Sequence, residues 1–294
     1  MMDFSKLTLE DSGKLRSFFD DNSCRVCDFT FGCTFMWRDL HKTEYAIHDE
    51  TLYFKAFYPE QAFAPPLGKN AGKHAYEKII ELCETDKTKP LICSVSEDVL
   101  RKILEMFPNA GFRTCRDWSD YIYFSEDLKS LSGRKYSGQR NQIAKFIRDN
   151  YSWKFEKITS QNADEIKAFL KIHAKEHKKD SPTYKEGNAK AHEIIDNLEI
   201  YNALGGVLTA GGRVVGAALG EIAGDTLYVH VEKADISHRG AYQMLTNQFA
   251  LMYAGDDVKY INREEDDGDE GLRASKLSYH PAMLADKYFV ELMG

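Results

Sequence analysis

Three strand-like runs in the second half of the chain constrain its fold more than any other feature. The runs read GGVLTA, RVVGAALGEIA and TLYVHVEKA, and they are separated by Gly211-Gly212 and by Gly224-Asp225. Such glycine-containing pairs favour the tight turns that join antiparallel neighbours. The runs therefore predict a three-stranded meander, which must pack against further elements to be stable.

Helical and strand-like patterns flank the meander in a definite order. Upstream lie a strand, WKFEKIT, and two helical stretches, ADEIKAFLKIHAKEH and KAHEIIDNLEIYNA. Asn162 and Glu165 predict a capping box at the start of the first helix. Downstream lie a helix (AYQMLTNQFALMYA), a strand (VKYIN), a short helix (EGLRASKL) and a last strand (KYFVEL). The helical crossover predicts that VKYIN pairs in parallel with the meander. This order is that of the acyl-CoA N-acyltransferase fold, usually called GNAT.

The first half of the chain contains a rougher copy of the same order. Helical patterns near residues 8–19 and 29–40 precede a hairpin, EYAIHDETLYFKAF, that turns at Asp49-Glu50. A helix near 72–84, a strand (LICSV), a helix at 96–107 and strands in GFRTCRDWSDYIYF follow. We therefore predict an α+β protein with α/β-type mixed sheets, made of two tandem GNAT-like (acyl-CoA N-acyltransferase-like) domains. They are expected at residues 1–128 and 129–294, and the second is expected to carry the active site.

Charge and composition exclude several other classes of protein. The net charge of −7 argues against a general nucleic-acid coat, although a local basic patch can still bind RNA. No apolar run approaches the roughly 18 residues of a membrane-spanning helix. The start, MMDFSKLTLEDSGKL, lacks the basic-then-apolar order of a signal peptide. We therefore expect a cytoplasmic protein whose six cysteines, Cys24, Cys27 and Cys33 among them, are reduced thiols rather than a zinc or redox site.

Four longer stretches resemble one family of bacterial proteins. They are DFTFGCTFMWRDLH, SDYIYFSEDLKSLSGRKYSGQRNQIAKF, HVEKADISHRGAYQMLTNQFA and YINREEDDGDEGLRASKLSYHP. They are similar to proteins grouped with the C-terminal domain of phosphatidylglycerol lysyltransferase, over nearly the whole chain. The resemblance implies a tandem GNAT-like pair, as in the Fem-type peptidoglycan aminoacyltransferases, and transfer of an aminoacyl group from a charged tRNA. No counterpart of the lysyltransferase's membrane-spanning portion is expected, so modification of a lipid does not follow from the resemblance.

The segment SHRGAY is a candidate donor contact. It stands where a GNAT domain binds pyrophosphate with the amides of a helix N-terminus. Ser237 and Tyr242 occupy signature positions of the usual Arg/Gln-x-x-Gly-x-Gly/Ala pattern, so the segment predicts a poor cradle for coenzyme A. Arg239 and Gly240 either contact a donor phosphate or simply begin a helix.

The segment GRKYSGQRNQIAKFIR contains five basic residues and no acid. Arg134, Lys135 and Arg140 are candidate contacts to the phosphates of an RNA or nucleotide donor. A solvated helix face is the alternative interpretation.

His230 and Glu232 in LYVHVEKAD are candidate catalytic residues. They are two positions apart, so they are expected to share one face of the strand with Tyr228, a candidate substrate contact. In a GNAT domain this strand and VKYIN splay apart, and donor and acceptor meet in the gap. A histidine or glutamate there can take a proton from an acceptor amine. The alternative is a satisfied buried pair.

Six carboxylates lie between Glu264 and Glu270. A solvated loop, a metal site and the mouth of a site for a cationic group are the competing interpretations. Asp267 or Asp269 can cap the following helix, and Arg273 and Lys276 can pair with other acids. The calcium-loop order Asp-x-Asp/Asn-x-Asp/Asn is missing, so no metal is predicted.

The remaining residues of this segment are candidates for the site itself. Asn262, Arg263 and Glu264 fall at the carboxyl end of VKYIN, where ligands gather in open α/β sheets. We expect Glu264 to act in catalysis, and Asn262, Arg263 and Asp266 to contact a substrate with an ammonium group.

Together these features predict an acyl-transfer enzyme. Aminoacyl-tRNA is the expected donor, acyl-CoA is a less favoured one, and the acceptor is an amine or hydroxyl of a small molecule, peptide or lipid head group. Such transfer needs orientation and a base but no covalent nucleophile. The alternative is a catalytically silent GNAT-like module that binds a ligand or a protein, which the altered SHRGAY segment favours.

Overall fold

The three strand-like runs form the centre of a mixed sheet in the computed structural model, which describes residues 2–20, 24–177 and 180–292. The chain divides into two units. The first comprises the residues up to Asp120 together with those from Ala285 onward, and the second comprises Tyr121–Leu284. The predicted α+β class with mixed sheets is confirmed.

The helices and strands are named in chain order. The helices are α1 (Ser12–Leu15), α2 (Phe31–Met36), α3 (Lys73–Asp86), α4 (Glu97–Met106), α5 (Ser125–Ser130), α6 (Ser137–Asp149), α7 (Ala163–Glu176), α8 (Pro182–Asp196), α9 (Leu198–Tyr201), α10 (Ala241–Tyr253) and α11 (Glu270–Leu277). The strands are β1 (Ser5–Lys6), β2 (Glu44–His48), β3 (Thr51–Ala56), β4 (Ala62–Phe63), β5 (Leu67–Gly68), β6 (Leu91–Val95), β7 (Gly111–Thr114), β8 (Asp120–Phe124), β9 (Lys154–Lys157), β10 (Leu204–Ala210), β11 (Arg213–Ala223), β12 (Thr226–Ala234), β13 (Tyr260–Asn262), β14 (Met283–Ala285) and β15 (Tyr288–Glu291).

The two sheets share one plan. Within the described ranges the first has the order β1-β2-β3-β4-β6-β15-β7, with β5 beside β3, and the second has the order β14-β8-β13-β12-β11-β10-β9. Each contains an antiparallel meander, β1–β4 or β9–β12. A crossover helix then leads to a strand parallel to the last meander strand: α3 leads to β6, and α10 leads to β13. The helix is needed because a short hairpin link cannot join two parallel neighbours.

Each sheet also receives one strand from the other half of the sequence. Strand β15, near the end of the chain, pairs antiparallel with β6 in the first sheet. Strand β8, which follows the first half, pairs antiparallel with β13 in the second sheet. Each of these strands therefore pairs in the sheet of the other sequence half, whereas the expected division at residue 128 placed each strand with its neighbours in sequence.

A buried lysine joins β15 to the first unit. The Lys287 ammonium lies 2.5 Å from a carboxylate oxygen of Asp28 and 2.9 Å from one of Asp120. It also donates to the Cys27 sulfur at 3.3 Å. Because a buried charge is costly unless it is paired, these contacts fix the start of the strand. Burial raises the pKa of the Cys27 thiol, and all six cysteines are free thiols.

Local sequence signals were right at turns and less reliable at helix starts. Asp49 and Glu50 have φ of 49° and 51°, as a tight hairpin turn requires. The helical stretch predicted near 8–19 is present, but only α1 in its middle is α-helical, and 3-10 helices at Leu9–Asp11 and Arg16–Phe19 flank it. The capping box at Asn162 is absent, because the Asn162 side chain accepts from the Thr159 amide at 2.8 Å instead of capping α7.

Gly240 allows α10 to begin against α6. Its φ is +89°, and a Cβ at this position would lie 2.1 Å from the Gln142 carbonyl oxygen. Any other residue would therefore meet both backbone strain and a collision with rigid backbone. The close approach gives this glycine a packing role, whatever it does for a ligand.

Replacing Gly240 with Ala should destabilise the second unit. We expect a loss of about 2–4 kcal/mol in the free energy of unfolding, from strain and overpacking together. Gly138→Ala in the first turn of α6 is the matched control, since no atom lies within 4 Å of the point where its methyl group would stand. It should be neutral or stabilise by up to about 1 kcal/mol. Urea unfolding measures both, and equal midpoints would contradict the close approach.

Candidate functional site

The candidate site lies where β12 and β13 part. The two strands pair in parallel at Thr226–Tyr260, Leu227–Ile261 and Tyr228–Asn262, and the described residues show no further pair between them. Beyond Asn262 the chain stays with β8 instead. The Arg263 amide donates to the Tyr121 carbonyl at 3.0 Å, and the Tyr121 amide donates to the Glu264 carbonyl at 3.1 Å. The end of β13 therefore turns away from β12 close to His230.

His230 is held between two carboxylates. Its Nδ1 donates to Glu264 Oε1 at 2.7 Å, and its Nε2 donates to Glu221 Oε1 at 3.0 Å. Burial alone lowers the pKa of His230, but the hydrogen bonds and charges of Glu221 and Glu264 outweigh it and raise the pKa to about 10. At neutral pH the ring is thus an imidazolium with no lone pair to accept a proton.

Glu264 is a buried carboxylate with an unusual affinity for protons. Its side chain is 12% exposed. Burial raises its pKa, and the His230 charge opposes that rise only in part. Such a carboxylate is a better proton acceptor near neutral pH than one in water.

The prediction that His230 and Glu232 share one face of the strand is wrong, because their side chains have different contacts. The pairing of β11 with β12 runs from Gly220–Val229 directly to Leu219–Val231, so His230 is the extra residue of a β-bulge. A bulge shifts the alternation of side chains between the faces. Glu232 accordingly contacts α10, where its Oε1 accepts from the Thr246 hydroxyl.

Arg263 anchors Glu232 on the α10 side. Its Nη2 donates to Glu232 Oε2 at 2.5 Å, and its guanidinium lies 4.8 Å from the centroid of the Tyr279 ring. Its Nε and Nη1 are buried and have no hydrogen-bond partner in the described part of the chain. A narrow cavity beside them is lined by Glu232, Thr246 and apolar side chains. The ion pair joins the end of β13 to β12, and Glu232 in turn accepts from Thr246 of α10.

Lys276 and Asn262 shape the backbone that presents Glu264. The buried Lys276 ammonium donates to the carbonyls of Arg263 at 2.6 Å and Glu264 at 3.1 Å, and also to that of Glu265. Glu264 has φ of +57°, a strained value for a residue with a side chain. The Asn262 side chain accepts from the Glu264 amide at 2.6 Å, which stabilises this turn.

The other acids of the segment serve the loop itself. Asp266 accepts from the Tyr121 hydroxyl at 2.6 Å and from Arg273 at 2.7 and 2.9 Å. Burial opposes its ionisation, but these donors lower the pKa of Asp266 to about 2. Asp269 caps α11, as predicted, through the Leu272 amide at 2.8 Å. Asp266, Asn262 and the fully buried Tyr228 thus have internal roles in this structure.

Two of the candidate phosphate contacts, Lys135 and Arg140, are already engaged by protein groups. Lys135 contacts the Asp127 carboxylate at 3.1 Å. Arg140 donates to two backbone carbonyls, one of them that of Gly133 at 2.7 Å. Arg134 and Arg239 are exposed, Arg239 directly before α10.

Glu221 is the site residue that the sequence reasoning missed. It lies in RVVGAALGEIA, where it is the only charged side chain after Arg213, and it is buried. A single acid within a buried apolar strand must have a partner. The lone acid was therefore a sign of a buried polar partner, and in the structure His230 is such a partner.

Replacing His230 with Gln should change the pH dependence of stability. The pKa of His230 is about 10 in the folded chain against an ordinary 6.5, so its charge stabilises the fold fully below pH 6.5. That contribution is lost as the pH rises through about 10. We expect the difference in free energy of unfolding between the parent and His230→Gln to shrink steadily as the pH rises from 6.5 to about 10. Urea unfolding at several pH values measures it, with His74→Gln on the surface as the control. A difference between the two proteins that does not vary with pH would contradict the assignment of His230 as an imidazolium.

Known structures resemble the whole chain. A conserved protein of unknown function from Bacteroides thetaiotaomicron has a TM-score of 0.90, is 31% identical, and the match covers 99% of each chain. The L-PGS structure from Bacillus licheniformis has a TM-score of 0.66 at 12% identity, over 95% of this chain and 91% of that one. FemX has a TM-score of 0.58 at 11% identity, over 99% and 97%. These likenesses confirm the tandem GNAT-like fold.

Comparison of the sequence with known proteins identifies one family. An uncharacterised protein of Mycoplasmoides gallisepticum is 20% identical over 186 residues, which are 60% of this chain and 56% of that relative. In the described part of the chain, no helix has the length and apolarity needed to cross a membrane. The model of the family described as "Phosphatidylglycerol lysyltransferase, C-terminal" matches residues 23–291. The chain therefore belongs to the phosphatidylglycerol lysyltransferase C-terminal family.

Proposed function

We propose that the protein moves an aminoacyl group from aminoacyl-tRNA to an amine or hydroxyl acceptor in the gap between β12 and β13. The observation that carries this proposal is Glu264. It is a buried carboxylate with a raised pKa, it is held by His230, and it lies at the point where the strands part. Perturbed carboxylates at such positions are typical of proton acceptors.

Glu264 is the proposed base. The acceptor nitrogen or oxygen attacks the ester carbonyl of the aminoacyl group and passes its proton to the Glu264 carboxylate. The ester C–O bond then breaks, and the leaving 3′ or 2′ oxygen of the tRNA takes up the proton that Glu264 received, which restores the carboxylate. His230 acts as a positioning residue, because both of its ring nitrogens are occupied. Glu232 is likewise a positioning residue, because its carboxylate accepts a hydrogen bond from the Arg263 guanidinium.

The charge of the site favours a cationic aminoacyl group. Glu221 and Glu264 are two buried carboxylates that contact the single imidazolium of His230, and the Lys276 ammonium also lowers the pKa of Glu264. Glu232 and Arg263 form a separate ion pair. A buried carboxylate interacts strongly with an ammonium group because the surroundings screen its charge little. The α-ammonium of an aminoacyl ester is such a group.

The start of α10 favours a donor other than acyl-CoA. The Ser237 amide donates to the Asp235 side chain at 2.8 Å, and the amides of His238 and Ala241 donate to nearby carbonyls. Amides engaged in this way are not available to a pyrophosphate. The exposed arginines near α10 and α6 suit the phosphates of a tRNA. This donor agrees with the cytoplasmic location expected from the sequence.

A silent ligand-binding module is a second candidate function. It is favoured by the extent to which His230, Glu232, Asn262 and Asp266 are satisfied by other protein groups. Native mass spectrometry of the purified protein shows whether coenzyme A or RNA co-purifies with it, and therefore which class of donor it binds.

Transfer from aminoacyl-tRNA should depend on Glu264. Single-turnover reactions with individually charged tRNAs should show loss of the aminoacyl ester in the presence of protein and acceptor. The acceptors offered are small amines, peptides and vesicles that contain phosphatidylglycerol. Glu264→Gln should slow this loss by about 10²–10⁴-fold, as expected for removal of a general base. Affinity for uncharged tRNA, measured by filter binding, should be unchanged.

Glu270→Gln is the matched control, because it makes the same chemical change at an exposed position of the same segment. Its rate should remain within about twofold of the parent, as for an ordinary surface change. Equal rates for the parent and Glu264→Gln would show that Glu264 is not the general base. If the protein consumed acetyl-CoA but no aminoacyl-tRNA, the donor would be acyl-CoA instead of aminoacyl-tRNA.

A further inference from the structure

A second polar cluster lies between α7, α8 and the start of α10, away from the His230 carboxylates. It consists of His173, Tyr184, Lys233 and Tyr242. His173 Nε2 lies 3.3 Å from the Tyr242 hydroxyl, and the Lys233 ammonium lies 5.3 Å from the centroid of the Tyr184 ring. Lys233 also acts on the pKa of His173, and Tyr184 on that of Tyr242, so the four side chains are close neighbours.

His173 offers a buried N–H to this cluster. The residue is 5% exposed. Burial, and then the charges of His177 and Lys233, outweigh the opposing charge of Asp235 and lower its pKa to about 4, so the ring is neutral. The Tyr242 hydroxyl lies 3.3 Å from His173 Nε2, and we assign the hydroxyl as the donor of this hydrogen bond. The hydrogen of the neutral ring is then on Nδ1. This Nδ1 has no hydrogen-bond partner among the residues that the structure describes.

Tyr184 presents a second unsatisfied group. Its hydroxyl is buried and likewise has no partner within the described ranges. Buried polar groups are rarely left without a hydrogen bond, because desolvation without compensation costs free energy. Two such groups beside one ammonium indicate an occupant that supplies acceptors.

We propose that His173, Tyr184 and Lys233 form an oxyanion site that binds a phosphate group of the donor. An N–H, an O–H and an ammonium all donate, so they suit a phosphate rather than a metal ion or an amine. The site adjoins the N-terminus of the 13-residue helix α10, whose dipole also favours an anion. Identifying the phosphate as that of the tRNA 3′ end rests on the proposed function; free phosphate is the other source of the same chemistry.

Tyr184→Phe tests the site because it removes only the hydroxyl. Thermal melting is measured in inorganic phosphate and in chloride at equal ionic strength. Tyr151→Phe, at a side chain that is 93% exposed, is the matched control for general stabilisation by phosphate salts. The parent and Tyr151→Phe should show a saturable, phosphate-dependent rise in Tm by mass action, and Tyr184→Phe should lose it. In chloride Tyr184→Phe should melt no lower than the parent, since it removes an unsatisfied group.

A labelled, uncharged minihelix ending in CCA tests the source of the phosphate. Fluorescence anisotropy should show at least a tenfold weaker affinity for Tyr184→Phe than for the parent. Loss of the phosphate response with unchanged minihelix affinity would support the oxyanion site but contradict the tRNA donor. The same rise in Tm for all three proteins, or a lower Tm of Tyr184→Phe in chloride, would overturn the site whatever the donor is.

Discussion

The buried ammonium of Lys276 is the interaction on which the candidate site depends. It donates to successive carbonyls of Arg263, Glu264 and Glu265, where the chain leaves β13. Removing a cation from water is costly unless several acceptors replace its hydration. The segment after β13 and α11 must therefore form together. Their joint formation holds Glu264 in its left-handed conformation and directs its side chain to His230.

The acidic segment combines two kinds of carboxylate because its two ends face different surroundings. Asp266 and Asp269 accept hydrogen bonds from the loop and from α11, and they have the structural role that such donors permit. Glu264 is placed instead beside a histidine that already shares its charge with Glu221. The result is a pair of buried carboxylates, Glu221 and Glu264, on the two ring nitrogens of one histidine where β12 and β13 part. An aminoacyl ester brings a positive charge and a reactive carbonyl together, so this arrangement suits it.

The sequence was informative wherever a local rule decides the structure. Glycine turns, the hydrophobic period of α10 and the cap at Asp269 are local, and each was predicted correctly. The exchange of β8 and β15 was not predictable, because either strand satisfies its own pattern in either sheet. The bulge at His230 was hidden for a related reason: one extra residue depends on pairing with β11 and not on any neighbour in sequence. It separated His230 from Glu232 and gave His230 a partner, Glu221, nine residues away.

The protonation state of His230 tests the account most directly. Nitrogen-15 NMR of the parent protein, with the ring signals assigned through His230→Gln, reports whether each ring nitrogen carries a proton. The account predicts that both nitrogens remain protonated at neutral pH and that the ring titrates near pH 10. A ring that loses its proton near its ordinary pKa of 6.5 would contradict the two carboxylate contacts and the positioning of Glu264 that follows from them.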